Sequence, residues 1–173
     1  MVPKLKTILF ASDLSENSKY VFDYAVDLAA HYNARILILH VMEEVPTGAE
    51  TRIAAEIGQQ WYTDIKTHKE DSARDILIDK RTQAVSAKDF LSRMSDPETS
   101  QTSSYVEDII IVEGDVAEEV AAISAQKDCD VIVMGGKRSG FLEGAFSGNI
   151  LRRVLRRSKK PLLVVPLPEP KKS

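Results

Sequence analysis

The sequence is poor in the features that mark several classes of protein. It has one cysteine, Cys129, which excludes an internal disulfide and is typical of a protein from a reducing compartment. No stretch is long and apolar enough to cross a bilayer, and residues 1–6 lack the apolar block of a signal peptide. We therefore expect a cytoplasmic protein with no membrane partner.

A large charge of one sign and clustered histidines are also missing. The formal net charge of −3 gives no general attraction to nucleic acid, so no nucleic-acid partner is expected. The basic run from Arg152 to Lys160 is interpreted as the exposed face and C-terminal end of a helix, where cations complement the helix dipole. The histidines are too far apart for a metal site, and His40 is expected to be a hydrogen-bonded residue near a strand end.

The sequence alternates between two kinds of segment: continuous apolar runs, and segments whose apolar residues have helical spacing. Continuous runs predict strands buried on both faces, and apolar residues three and four apart predict helices. The predicted strands cover residues 5–11, 36–42, 106–112, 131–134 and 162–165. This pattern predicts a single α/β domain over residues 1–173, with an open parallel sheet that carries helices on both faces.

Polar residues mark where the predicted helices begin and end. Ser15 is a candidate N-cap for the first helix, and Asn33 is a candidate C-terminal cap. Asp115 is a candidate N-cap for a later helix, with Glu118 three residues on in the manner of a capping box. Residues 50–104 are predicted to be an extended helical and loop segment within the domain, with a helix break near residues 71–72.

The most informative stretch runs from residue 130 to residue 166. An apolar run ends in Gly135 and Gly136, a short loop follows, and Gly148 with Asn149 opens a helical pattern before the last strand. Unpaired N–H groups and the positive end of the helix dipole converge at such a helix start. The sequence therefore predicts that a phosphate group could bind there.

Three separated segments together resemble the universal stress protein (UspA-like) family. They are the strand and acidic loop at residues 8–15, the strand at residues 36–41, and the stretch at residues 130–166. The resemblance implies a five-stranded, doubly wound, Rossmann-like sheet of the adenine nucleotide alpha hydrolase type, with strand order 3-2-1-4-5. It also implies a stress-response module that senses ATP or AMP, with or without Mg²⁺, and signals to an unidentified protein partner.

The family's nucleotide-binding members carry a signature of glycine, two residues, glycine, nine residues, then glycine followed by Ser or Thr. Gly135 and Gly148 match the outer glycines, whereas Arg138 replaces the inner glycine and Asn149 replaces Ser or Thr. Arg138 could block the site or supply a guanidinium to phosphates. Asn149 can still cap the helix.

The resemblance places an adenine-nucleotide site at the carboxyl ends of the first and central strands. Asp13 and Val41 would lie near the base and ribose, Gly135 would pass under the ribose, and the N–H groups of residues 148–150 would face the phosphates. The candidate binding residues are Ala11, Ser12, Asp13, Val41, Met134, Gly135, Arg138, Gly148, Asn149 and Ile150. The competing interpretation is that the glycine loop is only a tight connection from strand to helix.

Other nucleotide signatures fit the sequence poorly. Gly136-Lys137 lacks the upstream glycine and the following Ser or Thr of a P-loop, and the first strand is not followed by a glycine fingerprint. Three functions stay open. The protein is a nucleotide sensor, or a dimeric scaffold whose nucleotide site is disabled by Arg138, or at most a slow ATP hydrolase with no catalytic residue assigned. The resemblance also implies a homodimer in which the last strand, Leu162–Val165, pairs with a second copy, and the physical reason is that an open apolar edge invites pairing.

Overall fold

The structure, a computed structural model, describes residue 2 and residues 4–43, 81, 84–94, 103–136 and 148–168. Apart from residues 81 and 84–86, these residues belong to one compact unit formed from residues 1–43 and 87–173. Arg138, the predicted break near residues 71–72 and most of the 50–104 segment lie outside the described residues. The assignment of a single domain to residues 1–173 therefore stays a prediction.

Five parallel strands form one sheet in the order β3-β2-β1-β4-β5, which confirms the expected fold class and strand order. The strands are β1 (Thr7–Ser12), β2 (Arg35–Met42), β3 (Val106–Glu113), β4 (Val131–Gly136) and β5 (Leu162–Pro166). Every residue of β1 and of β4 is buried, since both strands lie inside the sheet with helices on both faces. The first strand begins two residues later than predicted and includes the polar Ser12.

Helices cover both faces of the sheet. They are α1 (Ser18–Tyr32), α2 (described over residues 84–94), α3 (Val116–Gln126) and α4 (Gly148–Arg157), and a short 3₁₀ turn at Ser103–Tyr105 precedes β3. Successive strand residues point to opposite faces, so the sheet has two separate cores. Phe10 and Leu91 lie in the core under α1 and α2, whereas Leu9 and Val154 lie in the core under α3 and α4.

The predicted caps are confirmed for two helix ends and wrong for one. Asn33 adopts a left-handed conformation with φ of 51° at the end of α1, and Asp115 accepts a hydrogen bond from the Glu118 N–H at the start of α3. The prediction that Ser15 is the N-cap of α1 is wrong, because α1 begins at Ser18. Ser15 instead belongs to the preceding turn, where its carbonyl accepts the N–H of Ser18.

Candidate functional site

The ends of β1 and β4 mark the point where the sheet changes direction. These strands are neighbours, but the chain leaves β1 toward α1 on one face and reaches α4 on the opposite face after β4. Such a change of direction separates the two connections and opens a crevice at the carboxyl ends of the strands, which is where open α/β sheets bind ligands. The topology therefore selects this crevice as the candidate site.

The turn between β1 and α1 forms one wall of the crevice. Asp13 is half-buried, and its Oδ1 accepts hydrogen bonds from the Ser15 N–H at 2.9 Å and from the Ser18 hydroxyl at 2.9 Å. Its Oδ2 accepts no hydrogen bond from the described residues. Asp13 is thus held in one orientation by one oxygen, while the other oxygen remains available as an acceptor.

The hydroxyl groups of Ser12 and Ser18 form a chain of hydrogen bonds that ends at Asp13. Ser12 Oγ donates to Ser18 Oγ at 3.0 Å and accepts from the Leu14 N–H at 3.1 Å, and Ser18 Oγ donates in turn to Asp13. These bonds hold Leu14 at φ of 57°, a left-handed conformation that residues other than glycine rarely adopt. Sequence reasoning missed Ser18, because nothing in its spacing from Asp13 marks a capping or catalytic pattern.

A small cavity of about 10 Å³ lies at the bottom of the crevice. Its lining residues are Phe10, Ala11, Asp13, Ser15, Ser18, Val21, Gly135 and Leu167. The Ser15 hydroxyl oxygen is buried there and has no hydrogen-bond partner within the described residues. The cavity brings the predicted residues Ala11, Asp13 and Gly135 together, but it has room for about one water molecule rather than for a nucleotide base.

The paired glycines at the end of β4 face opposite walls. A Cβ at Gly135 would lie 2.9 Å from Val21 Cγ2, on the α1 side, and 3.0 Å from Leu167 Cδ2. A Cβ at Gly136 would lie 2.7 Å from Val164 Cγ1 and 2.8 Å from Leu151 Cδ1, on the α4 side. Close packing alone therefore gives a reason for glycine at both positions, whether or not a ligand binds.

The start of α4 forms the opposite wall. The helix begins at Gly148, as predicted, with Asn149 exposed and Ile150 half-buried in its first turn. Because Leu151 packs against the end of β4 at Gly136, this first turn lies beside the crevice. Residues 148–150 therefore lie where their N–H groups could receive an anion, although they do not line the small cavity.

The other predicted site residues lie in the core or outside the described part of the chain. Ala11 and Met134 are paired in register and are buried with Val41 under α3 and α4, and Ser12 is buried on the opposite face. The side chains of Val41 and Met134 are therefore core residues. Arg138 lies outside the described residues, so its position stays untested.

His40 joins β2 to the end of β1 by a hydrogen bond, as the prediction of a hydrogen-bonded residue near a strand end expected. Its Nδ1 lies 2.9 Å from the carbonyl oxygen of Ser12. Because a carbonyl oxygen only accepts hydrogen bonds, Nδ1 carries the proton, and in the neutral ring Nε2 is left as an acceptor. The carboxyl end of β1 is therefore tied to both neighbouring elements, through His40 and through Ser18.

Two arginines of the basic run have specific partners that the sequence did not indicate. Arg153 Nη2 lies 2.6 Å from Asp115 Oδ2, and Arg157 Nη2 lies 3.1 Å from Glu118 Oε1. The hydrogen bond from Arg153 holds the pKa of Asp115 below its usual value, assisted by the Glu118 N–H and opposed by partial burial. These arginines join α4 to α3, and the exposure of Arg152, Arg156, Arg157 and Lys159 agrees with the interpretation of the basic run as an exposed helix face and C-terminal end.

The described residues provide no second candidate site, either at the cysteine or as a group of metal ligands. Cys129 is buried, and burial raises the pKa of its thiol to about 11, which agrees with its interpretation as a core residue rather than a nucleophile. Among the described residues, no group of His, Cys, Asp and Glu side chains could hold a metal ion. No helix within those residues is both long and apolar enough to span a membrane.

Similar proteins have been found over almost the whole chain. The universal stress protein family model matches residues 4–166. The stress response protein NhaX of Bacillus subtilis is 30% identical over 166 residues, which cover 91% of this chain and 96% of NhaX. A universal stress protein of Methanocaldococcus jannaschii is 24% identical over 160 residues, which cover 92% of this chain and 94% of that protein.

Solved structures show the same fold. The universal stress protein UspA of Lactobacillus plantarum is similar with a TM-score of 0.55 at 18% identity, over 95% of this chain and 99% of that chain. A universal stress protein solved in complex with cAMP has a TM-score of 0.53 at 18% identity, over 94% of this chain and 98% of that chain. Together with the strand order and the family match over residues 4–166, these similarities establish that the chain belongs to the universal stress protein family.

Proposed function

We propose that this universal stress protein binds an adenine nucleotide, ATP or AMP, in the crevice between β1 and β4, and acts as a nucleotide-sensing module in a stress response. The observation that carries the proposal is the placement of Asp13 and Gly135 around one cavity at the point where the sheet changes direction. The complex of one similar family member with cAMP supports the choice of an adenine nucleotide.

Each wall has a distinct part in the proposal. Asp13 Oδ2, which accepts no hydrogen bond from the described residues, would accept one from a ribose hydroxyl or from the adenine amino group. The N–H groups of Gly148, Asn149 and Ile150 would bind the phosphates, assisted by the positive end of the α4 dipole. Mg²⁺, when present, would neutralise phosphate charge. The bound nucleotide would order a surface that an unidentified protein partner reads.

The direct test is calorimetric titration of the protein with ATP and magnesium. Asp13→Asn is the matched variant, because its amide oxygen can still accept the Ser15 and Ser18 hydrogen bonds while the free carboxylate oxygen is lost. We expect the wild type to bind and the variant to bind at least about tenfold more weakly. Absence of heat at millimolar ATP, together with no copurified nucleotide by mass spectrometry, would refute the proposal.

A nucleotide-free dimeric scaffold is the second candidate. Two observations favour it. Close packing is enough to explain the glycines at positions 135 and 136 without a ligand, and the cavity is small. The substitution Arg138→Gly separates the candidates, because it restores the family's inner glycine. If Arg138 disables the site, the variant should gain ATP binding, and if Arg138 holds a phosphate, binding should weaken.

A homodimer through β5 belongs to the same proposal. β5 pairs with β4 alone within the described residues, and Val164 is 39% exposed beside this open edge. We expect a dimer by light scattering at micromolar concentration, with Val164→Lys shifting it toward monomer. Tyr24→Lys is a suitable control, because Tyr24 is similarly exposed but lies on α1. A monomeric wild type would contradict the assignment.

Catalysis, if any, is expected to be slow. Asp13 is the one ionisable side chain among the residues that line the cavity, so no second group is placed there to act as a general acid or base. Hydrolysis of radiolabelled ATP at a rate of about one per second or faster would show that a catalytic residue has been missed. The cytoplasmic location likewise stays a prediction.

A further inference from the structure

Four charged side chains join α3 and α4 beside the proposed phosphate site, and we name them the α3–α4 clamp: Asp115, Glu118, Arg153 and Arg157. Arg153 binds Asp115 at 2.6 Å, and Arg157 lies 3.6 Å from the other oxygen of Asp115 and 3.1 Å from Glu118. Asp115 also caps α3 through the Glu118 N–H at 3.0 Å. Asp115 therefore connects the first turn of α3 with α4.

The clamp acts close to the start of α4. Arg153 lies one helical turn after Asn149 and on the same face, and helical side chains lean toward the N-terminus of their helix. The guanidinium of Arg153 thus reaches Asp115 near the level of the first turn. This is the turn whose N–H groups are proposed to bind phosphate.

The position of α4 depends on contacts that the helix itself makes. Val154 and Leu151 hold α4 against the sheet, and the clamp holds it against α3.

We propose that the Asp115–Arg153 pair positions the start of α4, and so determines how strongly the site binds the phosphate groups of its nucleotide. The second half of this inference rests on the proposed function. Arg153 is a positioning residue, because its guanidinium is bound to Asp115 rather than directed at a ligand. The pair should therefore affect phosphate recognition while leaving recognition of the nucleoside unchanged.

The experiment compares ATP with adenosine in variants that break the pair in two ways. Asp115→Asn keeps an oxygen to cap α3 but removes the charge, and Arg153→Ala removes the other partner. We expect each variant to bind ATP about three- to tenfold more weakly with unchanged adenosine affinity, since small displacements of binding groups weaken a site. The double variant should be no worse than either single variant. Arg153→Lys should recover part of the affinity.

The matched control is Arg156→Ala, on the same helix. Arg156 is exposed and forms no ion pair with the described residues, so its loss removes the same charge without touching the clamp. ATP affinity should stay within about twofold of the wild type if positioning is the cause, since a lone exposed charge contributes little. Three results would each overturn the inference. They are an equal loss of ATP affinity in Arg156→Ala, an equal loss of affinity for ATP and adenosine in the clamp variants, and tighter ATP binding by Asp115→Asn.

A second readout needs no ligand and separates the two proposals. The amide chemical shifts of Asn149 and Ile150 should move in Asp115→Asn and Arg153→Ala and stay in place in Arg156→Ala. A wild type that binds no ATP would refute the nucleotide site and the clamp's role in affinity, while these shifts would still decide whether the pair positions α4. Unchanged shifts in both clamp variants would overturn the positioning itself.

Discussion

The two walls of the crevice are stabilised by contacts of different range. On the β1–α1 side, Ser12, Asp13 and Ser18 satisfy one another within a few residues of chain. On the α4 side, Leu151 packs at Gly136 and Arg153 binds Asp115, and these partners come from distant parts of the sequence. The comparison indicates that the first wall is built mainly from local contacts, whereas the second depends on contacts between distant parts of the chain.

The strongest test of the second wall is Gly136→Ala. The added Cβ would approach Val164 and Leu151 within 2.8 Å, which should lower the free energy of unfolding by about 1–3 kcal/mol through overpacking. Urea denaturation measures the change. The double variant Gly136→Ala with Val164→Ala should be less destabilised than the sum of its single variants, because Val164→Ala makes room. If Gly136→Ala were as stable as the wild type, Val164 and Leu151 would move aside at little cost, and the tight packing of this wall would be contradicted.

The corresponding test of the first wall is Ser18→Ala. This change removes the hydroxyl that accepts from Ser12 and donates to Asp13, and should lower the free energy of unfolding by about 1–2 kcal/mol. Thermal or urea denaturation provides the measurement. An unchanged free energy of unfolding would contradict the stabilising role of the Ser18 hydroxyl in this turn.

Asp115 gives a smaller, pH-dependent effect in the second wall. Because its pKa is lowered in the folded protein, its ion pair stabilises the fold above the ordinary carboxyl pKa of 3.8, and this contribution is lost as pH falls through the lower folded value. The pair is about one-third exposed, so Asp115→Asn should cost at most about 1 kcal/mol at pH 7. The difference from wild type should vanish in acid, as measured by denaturation from pH 7 to pH 2.

Ser15→Ala should have the smallest effect and refines the description of the first wall. The Ser15 hydroxyl is buried with no partner in the described part of the chain, so its removal should change the free energy of unfolding by less than about 0.5 kcal/mol. Ser18→Ala, a few residues away, is the natural comparison. A loss of more than about 1 kcal/mol would mean that Ser15 is hydrogen-bonded in solution, for example to a water molecule.

Sequence reasoning succeeded where the signal is local. The continuous apolar runs identified β1 and β4, since strands buried on both faces need apolar side chains throughout. The caps Asn33 and Asp115 were found from residue type alone. The prediction for Ser15 was wrong because several polar residues precede α1, and Asp13 draws the Ser15 N–H into a turn that local preference does not distinguish from a cap.

Sequence reasoning was weaker where a residue's role depends on distant partners. The glycines of β4 were interpreted through a possible ligand, but their neighbours Val21, Leu151 and Val164 could be identified only after folding. The ion-pair partners of Arg153 and Arg157 were missed for the same reason, because Asp115 lies 38 residues from Arg153 in sequence.

By itself, the sequence determined the alternation of strands and helices, two of the helix caps, and, through its family resemblance, the order of the sheet. These properties depend on the period of apolar residues and on side chains that bond to nearby backbone. Only the tertiary structure decided that Asp13 Oδ2 accepts no hydrogen bond from the described residues, that the two glycines face opposite walls, and that Arg153 binds Asp115. Such contacts join residues far apart in the chain, and no local pattern encodes their distance.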